Sequence, residues 1–138
     1  MTSEQKELLL KDLCTRLPYG VKVQDTYYNS FKPALIWLLD LNAQKVRLFA
    51  DEGYQSIEYI KPYLFPLSSM TEEQKNELSK YLDANVFVKN EISFWSLFAA
   101  NMMDKWKMVF EWCNKNHFDV YGLIPMGLAI DATGKNIY

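Results

Sequence analysis

Three side chains late in the chain are of the types that do chemistry: Cys113, His117 and Asp119. Cys113 and His117 stand four residues apart, so on a continuing helix they project from one side, the spacing of two ligands to one metal ion. A closed zinc site needs four ligands. The other thiol, Cys14, lies far off in sequence, on what reads as the core stripe of the first helix, and His117 is the sole histidine. With Asp119 the same pair could form a thiolate nucleophile, its base and an orienting carboxylate. Cys113 falls on an apolar stripe, however, where burial raises a thiol's pKa and makes it inert. The plainer reading makes Cys113 a small core residue and His117 a helix C-terminal residue near the free carbonyls. Ser68-Ser69 lacks the Gly-x-Ser-x-Gly elbow that exposes a serine nucleophile. The chain contains no Gly-x-x-x-x-Gly-Lys, Gly-x-Gly-x-x-Gly or His-Glu-x-x-His. The reading therefore names no catalytic residue, no metal and no cofactor. Asp131, which ends the apolar run from Leu123 to Ile130, reads as a turn-closing carboxylate.

The elements that would position these residues follow from periodicity and punctuation. Leu8, Leu9, Leu13, Cys14 and Leu17 recur near a period of 3.6, and Thr2 with Gln5 suits a capping box, so a first helix is expected to end at Leu17-Pro18-Tyr19-Gly20. Val21 and Val23 alternate with polar residues as in a half-buried strand. Ala34 to Leu39 is apolar on both faces, which suits a central strand covered on two sides, and a hairpin is expected over about 34 to 50. Ile57 to Ile60 reads as a further strand ended by Pro62, which sits at an edge or past the strand's end. Thr71-Glu72-Glu73-Gln74 starts a short surface helix running to about Asp83. Val86-Phe87-Val88 suits either a fifth strand or a linker. From about Ser93 to Asn116, Trp95, Phe98, Met102, Trp106, Val109 and Cys113 trace one stripe of a long helix whose apolar side is wider than one contact needs. Leu128-Ala129-Ile130 reads as a last strand.

Composition bounds the function. The 138 residues are 49% apolar and 15% aromatic, with two Cys, enough for one core without staples. Fifteen basic against seventeen acidic residues give a net charge of -2, against the positive footprint of a dedicated nucleic-acid binder. No apolar run approaches a bilayer span, and the polar, acidic N-terminus is unlike a signal peptide, so a cytoplasmic location is expected. The aromatic surplus stands out: Tyr19, Tyr27, Tyr28, Phe31, Tyr54, Tyr59 and Tyr63 gather at turns and strand ends, with Lys22, Lys32, Arg47, Lys61 and Lys89 interleaved. Rim packing explains them first, a protein interface second and single-stranded nucleic acid third.

Three stretches, Asp12 to Val23, Ile60 to Glu73 and Asn116 to Asp131, resemble as a set a family of small uncharacterised (hypothetical) proteins of Bacteroidetes genomes and their bacteriophages. The resemblance spans most of the chain and implies a phage or mobile-element setting and an accessory or interaction role rather than housekeeping metabolism; the family has no assigned activity, so no catalytic role is carried over. Position 65 is Phe where such proteins are expected to carry Arg. On physical grounds alone each stretch is a junction between elements. If the junctions converge, Arg16, Tyr19, Lys61, Tyr63, His117 and Asp119 form a candidate polar cleft.

The expected fold is α+β, a single domain over 1–138: a small antiparallel sheet of three to five strands packed against a long helix and an N-terminal helix. The expected function is a non-enzymatic cytoplasmic interaction or accessory protein, with a protein partner or self-association, no membrane, and nucleic acid disfavoured. Two alternatives stand beside it: a small hydrolase or transferase using His117 with Asp119 or Cys113, and a weak single-stranded nucleic-acid binder.

Overall fold

Helix α1 (Ser3–Arg16) begins where its first turn can satisfy its own free donors. The Thr2 hydroxyl accepts from the Gln5 N–H at 3.1 Å, and the Gln5 side chain accepts from the Thr2 N–H at 2.9 Å. Pro18 then forces a single 3-10 turn, Leu17–Tyr19, and the chain reverses through Gly20 at φ 68°, a left-handed conformation that favours glycine. The computed structural model describes residues 1–28, 32–49, 53–80, 87–88, 91–92 and 103–138.

Strands β1 (Lys22–Asp25), β2 (Ala34–Asp40), β3 (Lys45–Leu48), β4 (Tyr54–Ser56) and β5 (Ile60–Leu64) form the antiparallel part of the sheet. Helix α2 (Glu72–Ser79), a two-strand pair β6 (Phe87–Val88) and β7 (Glu91–Ile92), helix α3 (Met103–Lys115) and strand β8 (Ile130–Asp131) follow. Along the main sheet the order is β4-β3-β2-β1-β5-β8, with β8 parallel to β5. The α+β class holds, but the sheet has six strands rather than three to five, and it is not wholly antiparallel. A short pair such as β5·β8 needs a partner brought from far along the chain, and local periodicity carries no sign of that. α3 is 13 residues long in the described part of the chain. The expected long helix from Ser93 is not shown: its first residues, with Trp95, Phe98 and Met102, lie outside the described residues. Helix α2 ends at Ser79 with its cap at Lys80, short of the expected end near Asp83. Of Val86-Phe87-Val88, Phe87 and Val88 pair with Ile92 and Glu91, while Val86 lies outside.

The inner face of the sheet and α1 share one core. Leu9, Leu10 and Leu13 from the helix meet Val21, Val23, Ile36, Val46, Leu48, Ile60 and Leu64 from the sheet. A second cluster unites Met70, Leu78 of α2, Val109, Trp112 and Cys113 of α3, and Phe118. Cys14, expected on the core stripe of α1, is exposed; Asp12 and Arg16 are buried beside Leu9 and Leu13 instead. β2 is central as expected, but only one of its faces is covered among the described residues: Ile36 points inward, whereas Leu35 and Trp37 are exposed.

Pro62 also departs from expectation, since it lies inside β5 rather than ending a strand at residue 60; residues Ile57–Tyr59 form a 3-10 turn. The register explains how it is tolerated. Thr26 donates to Tyr59 at 2.8 Å, and the β1·β5 pairing runs Asp25↔Ile60, Gln24↔Lys61 and Val23↔Pro62, so alternate residues aim their backbone groups across this pair and Pro62 is not among them. The next rung would join Lys22 to Tyr63. The Tyr138 hydroxyl takes that place, accepting from the Lys22 N–H at 3.0 Å and donating to the Tyr63 carbonyl at 2.8 Å. Tyr138→Phe removes one atom that serves two backbone groups and is expected to lower stability by about 1–3 kcal/mol; chemical denaturation of the two proteins measures it.

Candidate functional site

The six candidate residues sort into one buried cluster and two outlying positions. The cluster is organised by the end of α3. Phe118 N–H donates to the Cys113 carbonyl at 2.9 Å and His117 N–H to the Asn114 carbonyl at 3.2 Å, the paired bonds that close a helix around a left-handed residue. That residue is His117, at φ 62°, in a position usually given to glycine. Histidine is among the side chains found there more often than most. The accompanying apolar contact is present too: Trp112 stacks on Phe118 with centroids 5.7 Å apart. The metal-ligand and nucleophile spacings assume a continuing helix; the turn at His117 removes that premise. Cys113 is buried, and burial pushes its thiol up to about 12.

Beyond the turn the chain joins the sheet. Phe65 N–H donates to the His117 carbonyl and Asp119 N–H to the Phe65 carbonyl, both at 2.8 Å, so Phe118 pairs in parallel beside Phe65, just past the end of β5. Asp119 then folds back, its two carboxylate oxygens accepting from the N–H groups of Leu123 (2.8 Å) and Ile124 (2.9 Å). Both oxygens are thus engaged in holding a turn. Asp131 acts likewise, accepting from the Thr133 N–H at 2.8 Å.

Arg16 reaches this junction from α1. Its Nε donates to Asp12 Oδ2 at 2.8 Å and its Nη2 to the Phe118 carbonyl at 2.6 Å, and both side chains of the ion pair are wholly buried. Burial pushes the Asp12 carboxyl up, against the pull of the Arg16 hydrogen bond and charge. Four buried polar atoms here, Asp12 Oδ1, Arg16 Nη1, Asn114 Oδ1 and His117 Nδ1, make no hydrogen bond with the described residues. His117 lies flat against Tyr138, centroids 3.7 Å apart and planes 9° from parallel. Burial, with the charges of Arg16 and Lys22, lowers its pKa to about 4, so the imidazole is neutral at pH 7.

Arg16, His117 and Asp119 therefore come together around Phe118, and buried Tyr63 joins them through its carbonyl and Tyr138. The other two do not. Tyr19 turns outward to Glu111, donating at 2.9 Å, and this bond raises its phenol pKa. Lys61 sits beside Gln24 on the outer face of the sheet. Asp12 and Tyr138 complete the cluster without having been singled out in the sequence. For Asp12 a signal existed, since opposite charges four apart on the stripe of Leu9 and Leu13 mark a paired, inward-facing couple.

The outer sheet face carries a second constellation. The Arg47 guanidinium lies 4.9 Å from the Trp37 ring centre and 5.8 Å from that of Tyr54, linking β2, β3 and β4. Phe49 follows β3, its N–H donating to the Leu35 carbonyl at 3.1 Å. Among the described residues no group of three or more His, Cys, Asp and Glu could hold a metal ion. No family model, curated protein or solved structure matches this chain.

Two outcomes follow for the cluster. Arg16→Met leaves Asp12 buried without its partner and is expected to cost about 3–5 kcal/mol, while Asp12→Leu combined with Arg16→Met recovers most of it; urea unfolding of the three proteins checks both. The unfolded chain protonates His117 near 6.5 and the folded chain only near 4, so the unfolded state binds more protons between these values. Stability is therefore lost as pH falls from 6.5 toward 4, and His117→Asn, which keeps the left-handed turn, is expected to flatten that part of the profile.

Proposed function

We propose that this chain is a non-enzymatic interaction protein whose working surface is the outer face of the sheet, acting in an accessory role. One observation carries the reading: Trp37, Phe49 and Tyr54 expose 52%, 67% and 53% of their surface on neighbouring strands of one face. A monomeric domain seldom leaves large aromatics grouped in water, and such groups mark binding surfaces. The buried cluster supports the same reading from the other side. His117 is neutral, buried and stacked, both Asp119 oxygens hold backbone, and Cys113 is a core thiol, so the groups that a hydrolase or transferase would use serve the fold.

The likeness to small proteins of Bacteroidetes and their phages favours the accessory role. No helix among the described residues is long and apolar enough to cross a membrane. A cytoplasmic setting with a macromolecular partner is part of this proposal. A surface kept for binding contributes little to folding. Replacing Trp37, Phe49 and Tyr54 together by Thr is therefore expected to lower stability by no more than about 1–2 kcal/mol, the sum of a few exposed cross-strand pairs. A loss of about 5 kcal/mol or more in thermal or chemical unfolding, the scale of emptied core positions, would make the face structural and overturn the reading.

A further inference from the structure

The outer face has a sign as well as an aromatic character. Pairing fixes which residues share it. Val46 points into the core, so its neighbours Lys45 and Arg47 point outward with Asp40, Leu38 and Tyr54 across from them. Val23 points inward, so Lys22 and Gln24 share the outer face with Leu35 and Lys61. The strands thus present Lys22, Lys45, Arg47 and Lys61 outward, against the carboxylate of Asp40, which is engaged with the Ala43 N–H at 2.9 Å. Asp25, the acid of β1, is buried on the inner side and accepts from Tyr27 N–H and Gln55. In a chain of net charge -2, the described strand residues of this face carry the opposite sign.

From this face we infer that the partner is a single-stranded nucleic acid, lying across the sheet from β4 to β5 with bases on Trp37, Tyr54 and Phe49 and phosphates toward Arg47, Lys45 and Lys61. The inference rests on the proposed binding role of the face and names the chemistry of its partner. Charge complementarity selects a polyanion and disfavours a second copy, whose cationic face would oppose this one. The rings then select among polyanions. Sheets that read single strands do so with exposed aromatics on which unstacked bases lie, interleaved with cations that follow the backbone. Arg47 is already held at both Trp37 and Tyr54, so its guanidinium is ordered before a ligand arrives and its loss of freedom on binding is small. Lys45 and Lys61 make no ion pair with the described residues, which leaves their ammonium groups for phosphate; Lys22 is partly engaged, donating to the Ile137 carbonyl at 2.6 Å. A duplex would present neither free base faces nor a strand narrow enough to lie along the rings.

The test is fluorescence anisotropy of the intact chain with a labelled thymidine oligonucleotide of about ten nucleotides, its duplex, and a polyglutamate peptide of equal charge. Expected are binding of the single strand in preference to the duplex and the peptide, and a log–log salt slope near -2, from about three phosphates neutralised at about 0.7 each. Trp37→Ala is expected to weaken binding about tenfold, with the slope unchanged. Arg47→Ala or Lys61→Ala should reduce the slope by about 0.7. Absence of single-strand binding at low salt, equal binding of the duplex, or Trp37→Ala without effect would overturn the inference. Tight binding of polyglutamate instead would assign the face to an acidic protein, so the nucleic-acid partner would fall while the binding role survived. Failure of the binding role itself would be read separately, as the large stability loss on replacing the three aromatics.

Discussion

The guanidinium of Arg16 is the joint on which the architecture turns. It sits where the core beneath the sheet meets the cluster gathered by α3, and it is bonded on one side to its own helix through Asp12 and on the other to the Phe118 carbonyl. Phe118 in turn stacks on Trp112 and pairs beside Phe65 at the end of β5. One side chain thus fixes the first helix, the last helix and the far end of the sheet relative to one another. Burying such a pair is worthwhile only if its geometry is enforced, because desolvation offsets most of the attraction. Enforcement comes from the turn at His117, which sets the Phe118 carbonyl in line with the arginine, and from Asp119, which holds the following loop by its backbone.

The same arrangement separates the molecule into two polar economies. Inside, charged groups are few, dry and committed to structure. Outside, on the opposite face of the strands, cations alternate with rings, and Lys45 and Lys61 make no ion pair with the described residues. A β-strand makes this division natural, since successive residues go to opposite faces and a bulge between Ile36 and Leu38 lets Trp37 lie out with its neighbours. Net charge, an average over the chain, conceals it.

What could be read in the residues was what local chemistry dictates. Both capping boxes, Thr2 with Gln5 and Thr71 with Gln74, and the stop at Pro18-Tyr19-Gly20 are decided by neighbours within four positions, and they stand where the sequence places them. Valines 21 and 23 likewise alternate as the strand requires. Legibility fails where a distant partner decides. Pro62 looks like a strand terminator until the register shows its nitrogen facing away from β1. His117 looks like a helical residue because helix ends of this kind usually announce themselves with glycine. Cys14 looks like core because a buried ion pair, Asp12 with Arg16, occupies the positions of the stripe that hydrophobes normally hold. Of the six candidate residues, the four that gather do so because Arg16 spans the gap to Phe118 and Tyr138 reaches the Tyr63 carbonyl, contacts no spacing rule contains.

The hydroxyl of Tyr138 in the β1·β5 ladder has a consequence for the order in which the chain acquires its shape. Strands β1 to β4 are linked by short connections, so their pairing closes small loops and forms early. The bonds of Arg16 to Phe118 and of Lys22 to Tyr138 span 102 and 116 residues. During synthesis the meander can therefore assemble with one end of β1 still unzipped, and that open edge stays available to other strands until Tyr138 is in place. The Tyr138 side chain then acts as a fastener: it both completes a rung and covers the imidazole at the helix end, which couples closure of the sheet to docking of α3.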